Sequence, residues 1–281
     1  MLKKRNIRTY RILTQILVLI GLNIGLVVGF YGFPVPVFFC HASPSATALC
    51  PIGAIEYAVI VAPMILVYIF GVLTLFGIIF GRAMCGWACP MGALQDLLSL
   101  KTKYKTIFRM DKYKLRWMKY IILLLIPILS FIFKDKVFTD ICPIGGLTAT
   151  VPTLLINPYG FQPIQPFFTI KMILTVLFMI LIILVTRGWC KYFCPLGAYF
   201  AAFNRVSLVT IKYEGGKCIN CPVPLCAAAC PMNLDPRKDI DSGECIRCGR
   251  CVDACPTSAL YYALRVSPFI EHKENEPKNT S

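Results

Sequence analysis

The sequence predicts a mainly α membrane protein: four transmembrane helices in two pseudo-symmetric repeats, followed by a small C-terminal α+β domain. Three observations carry this expectation. The 281 residues are 57% hydrophobic and only 15% charged, with a mean hydropathy of +0.67. Four uninterrupted apolar stretches are long enough to approach the roughly 20 residues a bilayer requires. A cysteine pattern occurs in both halves of the apolar region and is densest near the end of the chain. The first observation excludes an ordinary soluble protein.

The four spans run roughly over residues 12–33, 55–80, 117–133 and 167–186. The third contains Pro127, which predicts a kink. Met1 to Arg11 carries five basic residues ahead of a long apolar run, which reads as an uncleaved signal anchor. Basic residues sort by loop, with none between Pro34 and Ala54, eight between Gly81 and Arg116, and two between Lys134 and Pro166. The positive-inside rule then puts both termini in the cytoplasm. Twelve further basic residues follow the fourth span, so orientation accounts for much of the net charge of +15 and nucleic-acid binding needs no separate appeal. The basic stretch from Lys101 to Arg116 fits an anionic lipid surface, with a partner-docking patch as the alternative.

The apolar region repeats itself. Cys50-Pro51-Ile52-Gly53 precedes the second span, and Cys85 and Cys89-Pro90-Met91-Gly92-Ala93 follow it; Cys142-Pro143-Ile144-Gly145 precedes the fourth, and Cys190 and Cys194-Pro195-Leu196-Gly197-Ala198 follow it. Both copies enter the bilayer in the same sense, so the halves relate by a two-fold axis along its normal. The pairs Cys85/Cys89 and Cys190/Cys194 together supply four thiolates for one iron–sulfur cluster at the inner face. Two separate dithiols and a zinc site are the alternatives. Proline is well suited to a helix's first position, which makes Cys89 and Cys194 N-caps whose following amides face a negatively charged group. Cys50 and Cys142 are expected near the opposite face, about 30 Å away. There, with Cys40 and His41, they form a second cofactor site, a disulfide, or simple helix-start turns. Glu56 reads as an interfacial, solvated carboxylate, with a role as proton acceptor for quinol chemistry as the sharper alternative. The two histidines, His41 and His272, lie outside the apolar runs, which excludes a haem held by paired membrane histidines.

After Gly215-Gly216 the cysteines crowd together. Cys245-x2-Cys248-x2-Cys251-x3-Cys255-Pro256 has the spacing in which three thiolates bind one cubane and the fourth binds its neighbour. The companion run, Cys218-x2-Cys221-x4-Cys226-x3-Cys230-Pro231, supplies the other half, with two extra residues after Cys221. Crossed ligation predicts two [4Fe-4S] clusters, one on Cys218, Cys221, Cys226 and Cys255, the other on Cys245, Cys248, Cys251 and Cys230.

At these residues the chain resembles the NapH-type membrane ferredoxins, relatives of NosR and of the CcoG-type copper-related iron–sulfur proteins. The resemblance rests on the four spans, the two Cys-x3-Cys-Pro-x-Gly-Ala motifs and the terminal ferredoxin-like pattern. It implies a quinol dehydrogenase component that passes electrons to other iron–sulfur or redox proteins, within a complex in the cell membrane. A CcoG-like copper reductase or metal-handling accessory protein, and a redox-sensing regulatory or assembly subunit, are the competing expectations. The expected organisation is a first transmembrane repeat over 1–110, a second over 111–210, a cytoplasmic two-cluster domain over 211–268 and a disordered tail over 269–281. No acid–base or nucleophilic catalytic set is apparent.

Overall fold

The computed structural model describes residues 7–23, 33–34, 36–40, 43, 46, 48–61, 63–101, 113–156, 167–219, 221 and 224–265. Helix α1 covers Ile7–Leu22, and a short parallel pairing of β1 (Phe33–Pro34) with β2 (Ala48–Leu49) leads into α2 (Pro51–Val61) and α3 (Pro63–Phe80). The short α4 (Ala83–Trp87) and then α5 (Pro90–Lys101) follow. Next come α6 (Met118–Phe133), α7 (Val137–Ile141), α8 (Pro143–Ile156) and α9 (Phe168–Leu184), then again a short helix, α10 (Gly188–Tyr192), and α11 (Pro195–Phe203). Much of the expected lipid-facing basic stretch, residues 24–32 of the first expected span, His41, and the tail with His272 lie outside the described residues.

The long apolar helices α3 and α9 bury a single stripe each, whereas α2 is buried on all sides over Pro51–Glu56. In α3 the buried positions are Ile69, Leu73 and Gly77, and in α9 they are Lys171, Thr175, Phe178 and Ile182, at the spacing of one helical face. The remaining faces stay apolar and outward, as at Met64, Val67, Leu124 and Phe131. Two helices, Pro63–Phe80 and Leu115–Phe133, are long and apolar enough to cross a membrane by length and composition. Pro127 sits inside α6, whose helical run continues past it on both sides.

Two features depart from what the sequence leads one to expect. Glu56 is not a solvated interfacial group: it is fully buried, and its carboxylate accepts from the backbone amides of Phe138 (2.8 Å) and Thr139 (3.1 Å) and from the hydroxyls of Ser130 and Thr139. The carboxylate therefore caps the start of α7 and ties α2 to α6. Burial of an ion is tolerable here because its lone pairs are met by donors.

The second departure concerns depth. The Cys142-Pro143 start of α8 lies against the middle of α9, where the Thr175 hydroxyl, 3.4 Å from the Pro143 carbonyl, faces a π-helical turn at Gly146–Thr150. A Cβ at Gly146 would overlap that hydroxyl, so only glycine permits the approach. Thr175 stands about 10 Å along the helix from Phe168 and about 14 Å from Leu184, by the ~1.5 Å rise per residue. Cys142 is thus carried well inward from the end of α9 rather than left at its outer limit.

The C-terminal part is small and mixed. Strands β3 (Val209–Tyr213) and β4 (Leu260–Leu264) pair antiparallel with Ile211 opposite Tyr262, and α12 (Leu225–Ala228) and α13 (Arg250–Ala254) pack beside them. Ile211, Ile240, Val252 and Leu260 form its own core. Asn204, at the end of α11, donates to the carbonyls of Ser242 (2.7 Å) and Cys245 (2.9 Å), and Trp87 donates to the Arg247 carbonyl at 3.0 Å, so the small part is pinned to the helices.

Replacing Glu56 by Ala strands four donors in the interior. The expected cost is about 3 kcal/mol of stability, read as a lowered unfolding temperature in detergent, with Glu56→Gln intermediate. An exposed-carboxylate role would leave both variants at the parental value.

Candidate iron–sulfur centres

In the C-terminal part the cysteines ring two hollows. Cys230, Cys245, Cys248 and Cys251 line the first, together with Met232, Leu234 and Ile246. Cys218, Cys221, Cys226 and Cys255 line the second, with Ile219, Leu225 and Arg237 at its edge. Among the described residues, no three His, Cys, Asp or Glu side chains converge as a single metal ion requires. Four thiols spaced around a hollow are instead the donor set of a cubane, whose irons each take one thiolate. The residues present therefore fit an iron–sulfur cluster better than zinc, which draws its ligands to about 2.3 Å from one point.

The two hollows differ in environment. Burial pushes the Cys245 thiol up to about 12, and pushes Cys230 and Cys251 upward as well. Cys255 moves the other way, because the Thr257 hydroxyl and the amides of Thr257, Ala259 and Leu260 outweigh its modest burial. Amides also reach Cys230 from Met232 and Leu234, and Cys245 from Arg247. Backbone N–H groups aimed at sulfur stabilise thiolate charge and raise a bound cluster's potential.

A third group of thiols sits among the helices. Cys85, Cys89, Cys190 and Cys194 are all buried and interact electrostatically with one another. Cys194 caps α11, its sulfur accepting from the Gly197 amide at 3.3 Å, and the Gly92 amide plays the same part for Cys89. Gln95 donates to the Cys190 sulfur at 3.3 Å.

Two arginines brace this group crosswise. Arg82, three residues before Cys85, donates to the Cys190 carbonyl at 3.1 Å; Arg187, three residues before Cys190, donates to the Cys85 carbonyl at 2.8 Å. Each guanidinium lies over the partner motif's glycine, Arg82 over Gly197 and Arg187 over Gly92, where a Cβ would collide with or crowd it. Both arginines are fully buried and each holds a carboxylate: Arg187 pairs with Asp96 through two contacts of 3.0 and 2.7 Å, and Arg82 reaches Glu244 at 3.1 Å. Burial alone would raise Asp96 and Glu244, but these cations hold both below the usual carboxylate range. The sequence reading missed this pair. The signal was present, since Arg82-Ala-Met-Cys85 and Arg187-Gly-Trp-Cys190 stand at equal offsets in the two motifs.

The first helical motif packs against the backbone that lines the first hollow. Gly86, directly after Cys85, lies so close to the 246–248 backbone that a Cβ would overlap the Ile246 carbonyl and sit 3.4 Å from Cys248 Cα. Glu244, one residue before Cys245, is the carboxylate held by Arg82 and also by Lys119. On the other side, the Phe38 amide reaches the Cys89 sulfur. Cys40 is two residues further on, so the buried 36–40 segment connects the four thiols to a fourth group. That group is Cys40, Cys50 and Cys142, all buried and mutually interacting. The two groups that the sequence sets on opposite faces are thus linked through the 36–40 segment, from Cys89 by way of Phe38 to Cys40.

Comparison with known proteins agrees with this geometry. A 4Fe-4S binding domain model matches residues 61–108 and 167–212, the two segments that carry the Cys-x3-Cys-Pro motifs, and a second 4Fe-4S binding domain model matches 238–261. An uncharacterised protein of Methanocaldococcus jannaschii, MJ0750, is 32% identical over 199 residues, covering 68% of this chain and 76% of its own length. The ferredoxin-type protein NapH of Haemophilus influenzae is 27% identical, covering 69% of this chain and 67% of its own. The putative electron transport protein YccM of Escherichia coli is 25% identical over 93% of this chain and 77% of its own. No solved structure matches. The fold and its thiol groups define a 4Fe-4S ferredoxin-type protein. Within that class, the chain belongs to the family of these relatives, the NapH-type ferredoxin-like proteins.

Arg82→Ala and Arg187→Ala each remove one partner of a buried pair. A loss of about 3 kcal/mol is expected from each, measured by thermal unfolding in detergent, with Lys at either position recovering part of it. Gly86→Val forces the 246–248 backbone away from Cys85. Faster hydrogen exchange at residues 243–250 in that variant, with α3 and α9 unchanged, is the expected readout; unchanged protection there would show that the contact is dispensable.

Proposed function

We propose that this protein is an integral membrane electron carrier that exchanges electrons between the quinone pool, or a membrane partner, and another redox protein through [4Fe-4S] clusters. In this reading the four apolar spans form two pseudo-symmetric repeats with both termini cytoplasmic. The domain limits are those the sequence indicates: 1–110, 111–210, 211–268 and a tail over 269–281. Long helices that bury only one stripe and turn apolar faces outward support a lipid surrounding.

Ligation follows the hollows. Cys218, Cys221, Cys226 and Cys255 hold one cluster, Cys230, Cys245, Cys248 and Cys251 a second, and Cys85, Cys89, Cys190 and Cys194 a third shared between the two repeats. Such clusters supply one-electron transfer when bound. The chain's own residues keep water out, aim amides at sulfur and balance charge: four thiolates on a [4Fe-4S]2+ core leave a net −2, opposite the two buried guanidiniums of Arg82 and Arg187. The observation that carries the proposal is the contact of Gly86 with Ile246 and Cys248, which makes the helical thiols and the first hollow neighbours in one series. The second hollow lies at the end of that series. Ile219 and Leu225 at its rim are exposed apolar side chains, a fitting place for a redox partner to dock.

Anaerobic purification from membranes, followed by iron, sulfide and quinol-reduction measurements on one sample, tests this. Iron and sulfide in equal amounts, with cluster reduction by quinol, are expected. Colourless protein, or copper or zinc in place of iron, would sink the reading. Cys230→Ser is expected to damage the cluster of the Cys245 run, and Cys255→Ser that of the Cys218 run, as seen by paramagnetic resonance. Damage confined to each residue's own run would contradict the crossing.

A further inference from the structure

The Cys40, Cys50 and Cys142 group is not used by the series described above, yet it has the features of a built site. Cys50 and Cys142 each open a helix with the sequence Cys-Pro-Ile-Gly, the same local device as Cys89-Pro-Met-Gly and Cys194-Pro-Leu-Gly. The amides of Ile52 and Gly53 act on the Cys50 sulfur, and those of Ile144 and Gly145 on Cys142. Two helix starts therefore direct donors at two thiols that interact with each other and with Cys40. Gly145 brings the third thiol and an amine to this helix start: a Cβ there would stand 3.4 Å from Cys40 Sγ and 3.6 Å from Lys171 Nζ, in ordinary contact with both.

Lys171 is the second, independent observation. It is a buried amine on α9, only 8% exposed, whose charge acts on Cys142 and on Asp140. A cation brought to a cluster of thiols in an apolar interior marks a place where negative charge is meant to reside. We propose that Cys40, Cys50 and Cys142 ligate a further iron–sulfur cluster within the helical part, with Lys171 as its counter-charge. This rests on reading the chain as an iron–sulfur electron carrier.

The charge count agrees with a cluster. Three thiolates on a [4Fe-4S]2+ core give a net −1, which one ammonium offsets. Three cysteines leave one iron corner to a ligand other than cysteine. The placement also extends the series inward: Cys40 follows Phe38, whose amide reaches Cys89, by only about 7 Å of extended chain.

The test uses the full-length protein purified without oxygen in detergent. Wild type is expected to carry one cluster more iron and sulfide than the other three cysteine groups account for. The triple variant Cys40→Ser, Cys50→Ser, Cys142→Ser is expected to lose that one cluster and one paramagnetic signal while the ferredoxin-type signals persist. Those persisting signals separate this inference from the function: their absence in wild type would sink the carrier reading itself. Should the triple variant not accumulate, Lys171→Met serves instead. Removing the cation is expected to shift one cluster's potential downward and leave the others unmoved. Wild-type iron equal to three clusters, a disulfide found among the three thiols, stoichiometric copper or zinc lost in the triple variant, or no potential shift in Lys171→Met would each overturn the proposal.

Discussion

Negative charge held in an apolar interior is the constraint around which this protein is organised. Thiolates are the ligands that an iron–sulfur cluster requires, and the seven cysteines of the helical part are all buried. Burial raises the cost of that charge, and an unpaired ion in a low-dielectric interior is strongly destabilising. The structure meets the cost with two kinds of positive charge. Helix starts of the form Cys-Pro-x-Gly turn free amides toward sulfur, and buried cations sit beside the cysteine motifs. Arg82, Arg187 and Lys171 are all charged residues that a purely apolar packing argument would exclude from their positions.

The same charges link the parts of the molecule. Arg82 contacts the Cys190 carbonyl, Gly243 and Glu244, so one side chain joins a helical thiol motif to the loop that opens the C-terminal cysteine run. Asp96 gathers Arg187, Arg11 at 3.3 Å and Arg250 at 3.0 Å, which brings α1, α5, α13 and the start of α10 to one carboxylate. Gly86 then allows backbones to meet where a side chain would hold them apart. Charge balance and close approach are thus supplied by the same few residues, and a carrier of electrons needs both.

The ferredoxin-like part was the most legible. Short cysteine spacers dictate local wrapping almost independently of the rest of the chain, so Cys245, Cys248 and Cys251 group by spacing with Cys230 and Cys255 assigned crosswise, and one hollow is lined by Cys230 with that set while the other is lined by Cys255 with Cys218, Cys221 and Cys226. The long apolar helices were visible from hydropathy, because a helix apolar on every face needs no partner to be recognised. Arg82 and Arg187 were less visible. Their equal offsets are in the sequence, but their roles depend on crossing to the opposite motif. Glu56 was misread for a similar reason: a carboxylate near a predicted interface looks solvated until Ser130, Phe138 and Thr139 are brought to it from two other helices.

Residue order alone therefore determined the cysteine motifs, their duplication and the apolar helices, since spacing and hydropathy are local properties. Only the three-dimensional arrangement decided the depth of Cys142, the inward course of residues 36–40 and the convergence of Cys40, Cys50 and Cys142. Those depend on where one helix begins against the middle of another. Hydropathy reports whether a segment is apolar, but not where along a neighbour it starts. For that reason the sequence read as two separated faces what the folded chain joins through Phe38 and Cys89.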